Sequence, residues 1–88
     1  NAAKDGTGLV NIGFNDVLNG RNDKGIALME QGIAKGGLKR PEDAKLHLGI
    51  ACLLAGQKAK GMQVLKTVQG SDGTADLARL WLLQAQRS

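Results

Sequence analysis

A short internal repeat is the feature that most constrains the fold of this chain. When the sequence is shifted by 36 residues, residues 12–25 (IGFNDVLNGRNDKG) fall on residues 48–61 (LGIACLLAGQKAKG). The identical pairs are Gly13 and Gly49, Leu18 and Leu54, Gly20 and Gly56, Lys24 and Lys60, and Gly25 and Gly61. A self-match at such a period indicates stacked units, in which each unit covers an apolar face of its neighbour.

Glycines and a proline divide the sequence into segments of helical periodicity. Apolar residues recur every three or four positions before Gly20, before the glycine pair at residues 36–37, and before Gly56 and Gly70. Pro41 suits the first turn of a helix, where its missing N–H is not needed. The sequence predicts five helices, over about residues 9–19, 23–35, 41–55, 58–69 and 75–86.

Some details of these helices are also predicted. Thr7 is expected to cap the first helix with its hydroxyl group. Glycine inside a helix costs about 1 kcal/mol relative to alanine, so the repeated glycines are expected to let facing helices approach closely. These glycines are Gly13, Gly25, Gly49 and Gly61. The residues predicted on the buried side of the fifth helix are Leu77, Leu80, Trp81 and Ala85.

Composition bears on the classes of partner. The 88 residues carry a net charge of +4, but only 2% of them are aromatic and the positive charges are scattered. A platform for nucleic acid normally interleaves basic residues with stacking aromatics, so nucleic acid is not the expected partner. No run of about 18 apolar residues occurs, so no membrane span is expected. Cys52 is the only cysteine, which excludes an internal disulfide and leaves the compartment open.

No set of residues suited to catalysis is found in the sequence. His47 and Cys52 are five positions apart, about 140° around a helix axis, so local geometry does not pair them as base and nucleophile. Asp43 and His47 are four apart, which favours a surface pair. One histidine and one cysteine are too few for a zinc site. We therefore predict no enzyme activity, no cofactor and no metal site.

The repeated residues resemble the tetratricopeptide repeat family, whose unit is a helix-turn-helix of about 34 residues. Leu48 and Gly49 match the large and small positions of its first helix, and Gly56 matches the turn glycine. The resemblance implies an all-α fold of antiparallel helix-turn-helix repeats, stacked as a short right-handed α-solenoid of about five helices. It implies a single domain over residues 1–88, with unit 1 at about 7–37, unit 2 at about 41–70 and a capping helix at about 74–87.

The chain departs from the family pattern at two points. Its period is 36 residues, and Asp16 stands where an aromatic residue is usual, which is expected to alter the contacts within the first unit. It also holds about 2.5 units, fewer than the three or so that a free-standing array needs. We therefore expect a piece of a longer repeat protein.

The resemblance implies a protein-protein interaction module. In that family the first helices line a concave groove that takes an extended or helical peptide. The corresponding partner-binding positions are Val10, Asn11, Phe14, Val17, Leu46, His47, Ile50 and Leu53. For Phe14, Ile50 and Leu53, burial in the core is an alternative of equal weight. The competing hypothesis is a structural or self-assembly role, in which the same apolar surface forms a homo-oligomer or contacts missing repeats.

Overall fold

Five α-helices make up the architecture of the computed structural model, which describes residues 6–70 and 72–87. They are α1 (Thr7–Leu18), α2 (Asn22–Lys35), α3 (Pro41–Leu54), α4 (Lys58–Lys66) and α5 (Thr74–Arg87). No strand occurs within these described ranges, which confirms the all-helical prediction for them. The domain predicted over residues 1–88 also includes residues 1–5, 71 and 88, which lie outside the described residues.

The helices contact one another in a regular order. α1 packs against α2, and α3 packs against α4. The first helix of each pair also contacts the next first helix, α1 with α3 and α3 with α5. α2 packs on α3 and α4 packs on α5, whereas no backbone contact joins α2 to α4. Among the described helices, α1, α3 and α5 therefore form one continuous row.

Glycines bring α1 and α2 into close backbone contact. A Cβ atom at Gly13 would lie 2.5 Å from the carbonyl oxygen of Gly25, and a Cβ atom at Gly25 would strike the carbonyl oxygen of Gly13. The second pair is less tight, because a Cβ atom at Gly49 would first meet the side chain of Leu65, at 2.6 Å. A Cβ atom at Gly61 would also contact α3. The predicted role of these glycines in close helix approach is confirmed.

Two clusters of buried side chains form the core. The first lies between α1, α2 and α3 and contains Val10, Val17, Ile26, Met29, Ala44, Leu48, Ala51 and Cys52. The second lies between α3, the end of α4 and α5 and contains Leu46, Leu65, Val68 and Ala78. α3 contributes to both clusters, with Leu48 on one side and Leu46 on the other. This explains why α3 is apolar around most of its circumference.

The start of α1 and the end of α4 differ most from the prediction. Thr7 is the first residue of α1, and Gly6 occupies the N-cap without a side-chain cap hydrogen bond, so the predicted Thr7 cap is wrong. α4 ends at Lys66, whereas the sequence predicted helix to about residue 69. The backbone N–H of Gln69 donates instead to the carboxylate of Glu42, at 2.7 Å. This bond to the start of α3 replaces the bond that a continued helix would make.

The orientation of α5 also differs from the prediction. Leu77 and Leu80 were predicted to be buried, but they are 50% and 60% exposed. Ala78 and Ala85 are buried instead, and Trp81 is half-buried against the second cluster. The prediction is therefore wrong for the two leucines and confirmed for Ala85. Small side chains face α3 and α4, which allows α5 to lie close to them.

Asp16 is buried in the first helix pair with a charged partner. Its side chain is 10% exposed, and Arg21 Nε lies 3.0 Å from Asp16 Oδ1. The backbone N–H of Arg21 also donates to the carbonyl oxygen of Asp16, at 2.8 Å. Asp16 Oδ2 has no hydrogen-bond partner among the described residues. The turn after α1 thus brings Arg21 back onto the buried carboxylate of Asp16.

Candidate functional site

A cavity of about 240 Å³ opens between α1 and α3, next to the loop that precedes α3. It is lined by Thr7, Val10 and Asn11 from α1, by Leu38, Lys39 and Arg40 from the loop, and by Asp43, Ala44 and His47 from α3. Its buried lining residues, Val10 and Ala44, are apolar, whereas Asn11, Lys39 and Arg40 are exposed. The cavity therefore has an apolar interior and a polar, partly charged rim.

The local sequence explains how the loop and α3 reach this cavity. Gly36 and Gly37 have φ angles of 82° and 69°, a conformation open to glycine at little cost, and they turn the chain after α2. Pro41 then begins α3 at its first position. Asp43 and His47 follow four residues apart, so they share one side of α3. This order places the loop and the start of α3 against α1.

His47 is held in one orientation at the edge of the cavity. Its ring meets the ring of Phe14 edge to face, with centroids 5.1 Å apart and planes at 88°. His47 Nδ1 lies 2.8 Å from the backbone carbonyl oxygen of Asp43 and 3.4 Å from Asp43 Oδ2. Because a carbonyl oxygen only accepts hydrogen bonds, Nδ1 carries the proton in the neutral ring. Nε2 is then left as an acceptor.

Lys39 and Arg40 give the rim its positive charge. Arg40 Nη2 lies 3.2 Å from Asp72 Oδ2, and both side chains are exposed. The N–H and the hydroxyl of Thr74 donate to Asp72 Oδ1, and these bonds lower the pKa of Asp72. No ion pair of Lys39 occurs within the ranges described. Of the two rim cations, Lys39 is therefore the more available to an anionic group of a ligand.

Half of the predicted groove residues lie at or beside this cavity. Val10, Asn11 and His47 line it. Phe14 is partly buried, packs on the first core cluster and contacts His47. Val10 is only 5% exposed, so it forms part of the cavity wall but offers a ligand little accessible surface.

The other predicted residues lie elsewhere. Val17 and Leu46 are buried in the core, at 5% and 3% exposure, so we remove them from the candidate site. Ile50 and Leu53 are partly buried against the second core cluster. Leu53 also borders a separate cavity that Trp81 lines. The structure therefore does not bring all eight residues together in one groove.

Sequence reasoning missed the loop residues of the cavity. Leu38, Lys39 and Arg40 lie between a glycine pair and Pro41, where no periodicity predicts which way a side chain points. The one available signal was the Lys39–Arg40 charge pair directly before a helix start. Asp43 was noted only as a neighbour of His47.

The described residues show no metal site of the usual kind. Within them, no group of three or more His, Cys, Asp or Glu side chains is arranged to hold a metal ion. Cys52 is fully buried, and burial raises the pKa of its thiol.

None of the helices in residues 6–70 and 72–87 has the length and apolar character needed to cross a membrane.

Comparison with known proteins gives no family assignment. No family model matches the chain, and neither a curated protein nor a solved structure gives a significant match.

Proposed function

We propose that this chain is a tetratricopeptide-like repeat domain that binds a protein or peptide partner between α1 and α3. Its helices form two helix-turn-helix units and one further first helix, stacked as a short right-handed α-solenoid. The order of helix contacts supports this arrangement, because α1, α3 and α5 share one row while α2 and α4 lie beside it. The sequence match at a shift of 36 residues supports it independently.

The cavity between α1 and α3 is the observation that carries the proposed binding role. Its apolar interior suits one hydrophobic side chain of a partner, whose burial contributes about 1.5–3 kcal/mol. Its rim offers the amide of Asn11, the charge of Lys39 and the ring nitrogen of His47. A few polar groups around an apolar cavity are the usual means of fixing the orientation of a ligand.

We assign this site no catalytic step. His47 is the chain's only histidine, and its Nδ1 is engaged by Asp43. The only cysteine, Cys52, is fully buried in the first core cluster. These two residues therefore offer a bound partner no accessible nucleophile with an adjacent base.

The proposal is tested by filling the cavity from its exposed rim. Peptides selected by phage display on the immobilised domain are measured for affinity against the wild type, Asn11→Trp and Asn15→Trp. Asn11 lines the cavity, whereas Asn15 is exposed one turn later on α1 and does not line it. We expect Asn11→Trp to weaken binding by about tenfold or more and Asn15→Trp to leave it unchanged.

Chemical shifts locate the binding site on the folded domain. Addition of a selected peptide is expected to move the backbone amide signals of Asn11, Lys39 and His47 most. Equal affinity of the two tryptophan variants, or shifts that avoid these three residues, would contradict the proposal.

A further inference from the structure

α5 presents an exposed stripe on the side opposite its buried face. Leu80 and Leu83 are 60% and 53% exposed, and the charged residues Asp76 and Arg87 are exposed one turn beyond them on either side. At 3.6 residues per turn, these four side chains fall within about 60° of one another around the helix axis. Ala78, which is buried, lies on the opposite side of the helix. We call these four residues the α5 stripe.

Buried alanines show which residues of α5 correspond to which residues of α3. Ala44 and Ala51 of α3 are buried, and so are Ala78 and Ala85 of α5, which follow them by 34 residues. A shift of 36 residues, which relates the first two units, does not align these alanines. The step to α5 is shorter because α4 ends at Lys66, after only 9 residues.

At this alignment, the α5 stripe corresponds to a face of α3 that a helix covers. Leu80 and Leu83 take the positions of Leu46 and Gly49. Leu46 is buried together with Leu65 of α4, and a Cβ atom at Gly49 would meet the same leucine side chain. α5, in contrast, contacts only α3 and α4 among the described helices. Its stripe is therefore a helix-packing face without a helix on it.

The residue types of the stripe define what can cover it. Leu83 stands where α3 has Gly49, so a partner helix cannot approach α5 as closely as α4 approaches α3. Leucine side chains on both helices hold the axes about 8–10 Å apart. A helix with large apolar side chains, flanked by charges opposite to Asp76 and Arg87, fits these residue types.

We propose that the α5 stripe binds the α5 stripe of a second copy of this chain, with the two helices antiparallel. The stripe is self-complementary, because Leu80 and Leu83 are equidistant from its midpoint between residues 81 and 82, as are Asp76 and Arg87. A twofold axis through this midpoint brings Leu80 against the partner's Leu83 and Asp76 against the partner's Arg87. Antiparallel helix dipoles favour this orientation, and the opposite charges favour this register.

Leucine-to-glutamate substitutions test the dimer at the stripe and away from it. Solution mass is measured over a concentration series for the wild type, for Leu80→Glu/Leu83→Glu and for the control Leu18→Glu/Leu54→Glu. Leu18 and Leu54 are exposed to a similar degree, at 58% and 53%, on other helices. We expect the mass of the wild type and the control to rise from one chain to two, while the stripe variant remains one folded chain by circular dichroism.

Charge exchange tests the antiparallel register. Asp76→Arg and Arg87→Asp are each expected to weaken the dimer by about fivefold at low salt, and the double variant is expected to restore it. Asp76 also pairs with Arg79 in its own helix, at 3.0 Å, so dissociation constants are compared only among variants that are equally helical. A double variant that does not regain the wild-type constant would overturn the antiparallel register.

Other outcomes overturn the dimer itself. A wild type that remains one chain at every concentration contradicts it, as does a dimer that survives Leu80→Glu/Leu83→Glu. A dimer that Asn11→Trp dissolves would instead place self-association at the α1–α3 cavity. Because that cavity and the α5 stripe share no residue, the peptide-binding proposal and the dimer proposal stand or fall separately.

Discussion

Phe14 of α1 and His47 of α3 meet edge to face, with ring centroids 5.1 Å apart. The contact joins the first helix pair to the second at the border of the α1–α3 cavity. Because Asp43 holds the other side of the imidazole, His47 has little freedom to turn. The wall that a ligand would touch is thus fixed by the same contact that stacks the two helix pairs.

The Phe14–His47 contact should be measurable as a coupling energy. We expect a double-mutant cycle of Phe14→Leu and His47→Asn to give about 0.5–1.5 kcal/mol, the range for an aromatic pair beyond its buried area. The free energies of unfolding come from urea titrations of the wild type and three variants. Ile12→Ala, at a position that is 55% exposed, serves as a control with a change below about 0.5 kcal/mol. A coupling energy near zero would contradict the prediction.

Alanine at Gly13 should destabilise the protein more than alanine at Gly49. At Gly13 the new Cβ atom meets the backbone of α2, at 2.5 Å from the carbonyl oxygen of Gly25. At Gly49 it meets the side chain of Leu65, and the nearest backbone atom of α4, the carbonyl oxygen of Gly61, is 3.4 Å away. We expect Gly13→Ala to lower the free energy of unfolding by about 1–3 kcal/mol. The change for Gly49→Ala should be smaller, because the higher helix propensity of alanine, about 1 kcal/mol, offsets more of its steric cost. Urea midpoints of the two variants give the comparison, and equal midpoints would refute it.

Replacement of Arg21 should lower the free energy of unfolding more than replacement of Arg40. Arg21 pairs with Asp16, whose side chain is 10% exposed, whereas Arg40 pairs with Asp72, which is 58% exposed. Arg21→Ala leaves a buried carboxylate without its ion partner, so we expect a loss of about 1–3 kcal/mol. Arg40→Ala removes a surface pair worth less than about 1 kcal/mol. Thermal unfolding of both variants checks the order, and the reverse order would show that Asp16 is not stabilised by Arg21.

Glu42 should make stability depend on pH in the acid range. The backbone N–H of Gln69 donates to its carboxylate and Lys45 pairs with it, and together these contacts lower the pKa of Glu42 below its ordinary value of 4.5. A lowered pKa in the folded state adds stability above the ordinary pKa, and this stability is lost as the pH falls through the lowered pKa.

The matching measurement compares the wild type with Glu42→Gln, which keeps the side-chain shape without the charge. We expect the wild type to be more stable at neutral pH and the difference in unfolding free energy to shrink toward zero as the solution is acidified below the ordinary pKa. A difference that does not change with pH would show that the negative charge has no part in the Gln69 contact.

Much of the helix pattern could be predicted because local chemistry determines it. Gly20 and Gly56 have φ angles of 89° and 82°, so they end α1 and α3 at the positions where the sequence placed turns. Pro41 begins α3 as expected. These features depend on a residue and its immediate neighbours, and Gly20 and Gly56 also match each other at the shift of 36 residues.

The placement of side chains could be predicted only in part. Periodicity shows that Leu46 and Leu80 lie on apolar helix faces, but it does not show which face meets a neighbour. That choice depends on contacts between residues far apart in the sequence, such as the bond from the Gln69 N–H to Glu42 that lies beyond the early end of α4. Periodicity likewise placed Val17 on an apolar face of α1, but it did not show that this face meets α2 in the core. The cavity loop carries no periodicity at all.

We expect the absence of backbone contact between α2 and α4 to make the domain easier to bend than to stretch. The row of first helices is joined by two core clusters, so it resists stretching along its length. Between α2 and α4 no backbone contact exists, and the ion pair between Lys60 and Glu30, at 2.8 Å, spans the gap. An exposed pair of this kind costs less than about 1 kcal/mol to break. Bending that separates α2 from α4 breaks this weak pair and no backbone contact, so we expect the curvature of the row to change more readily than its length.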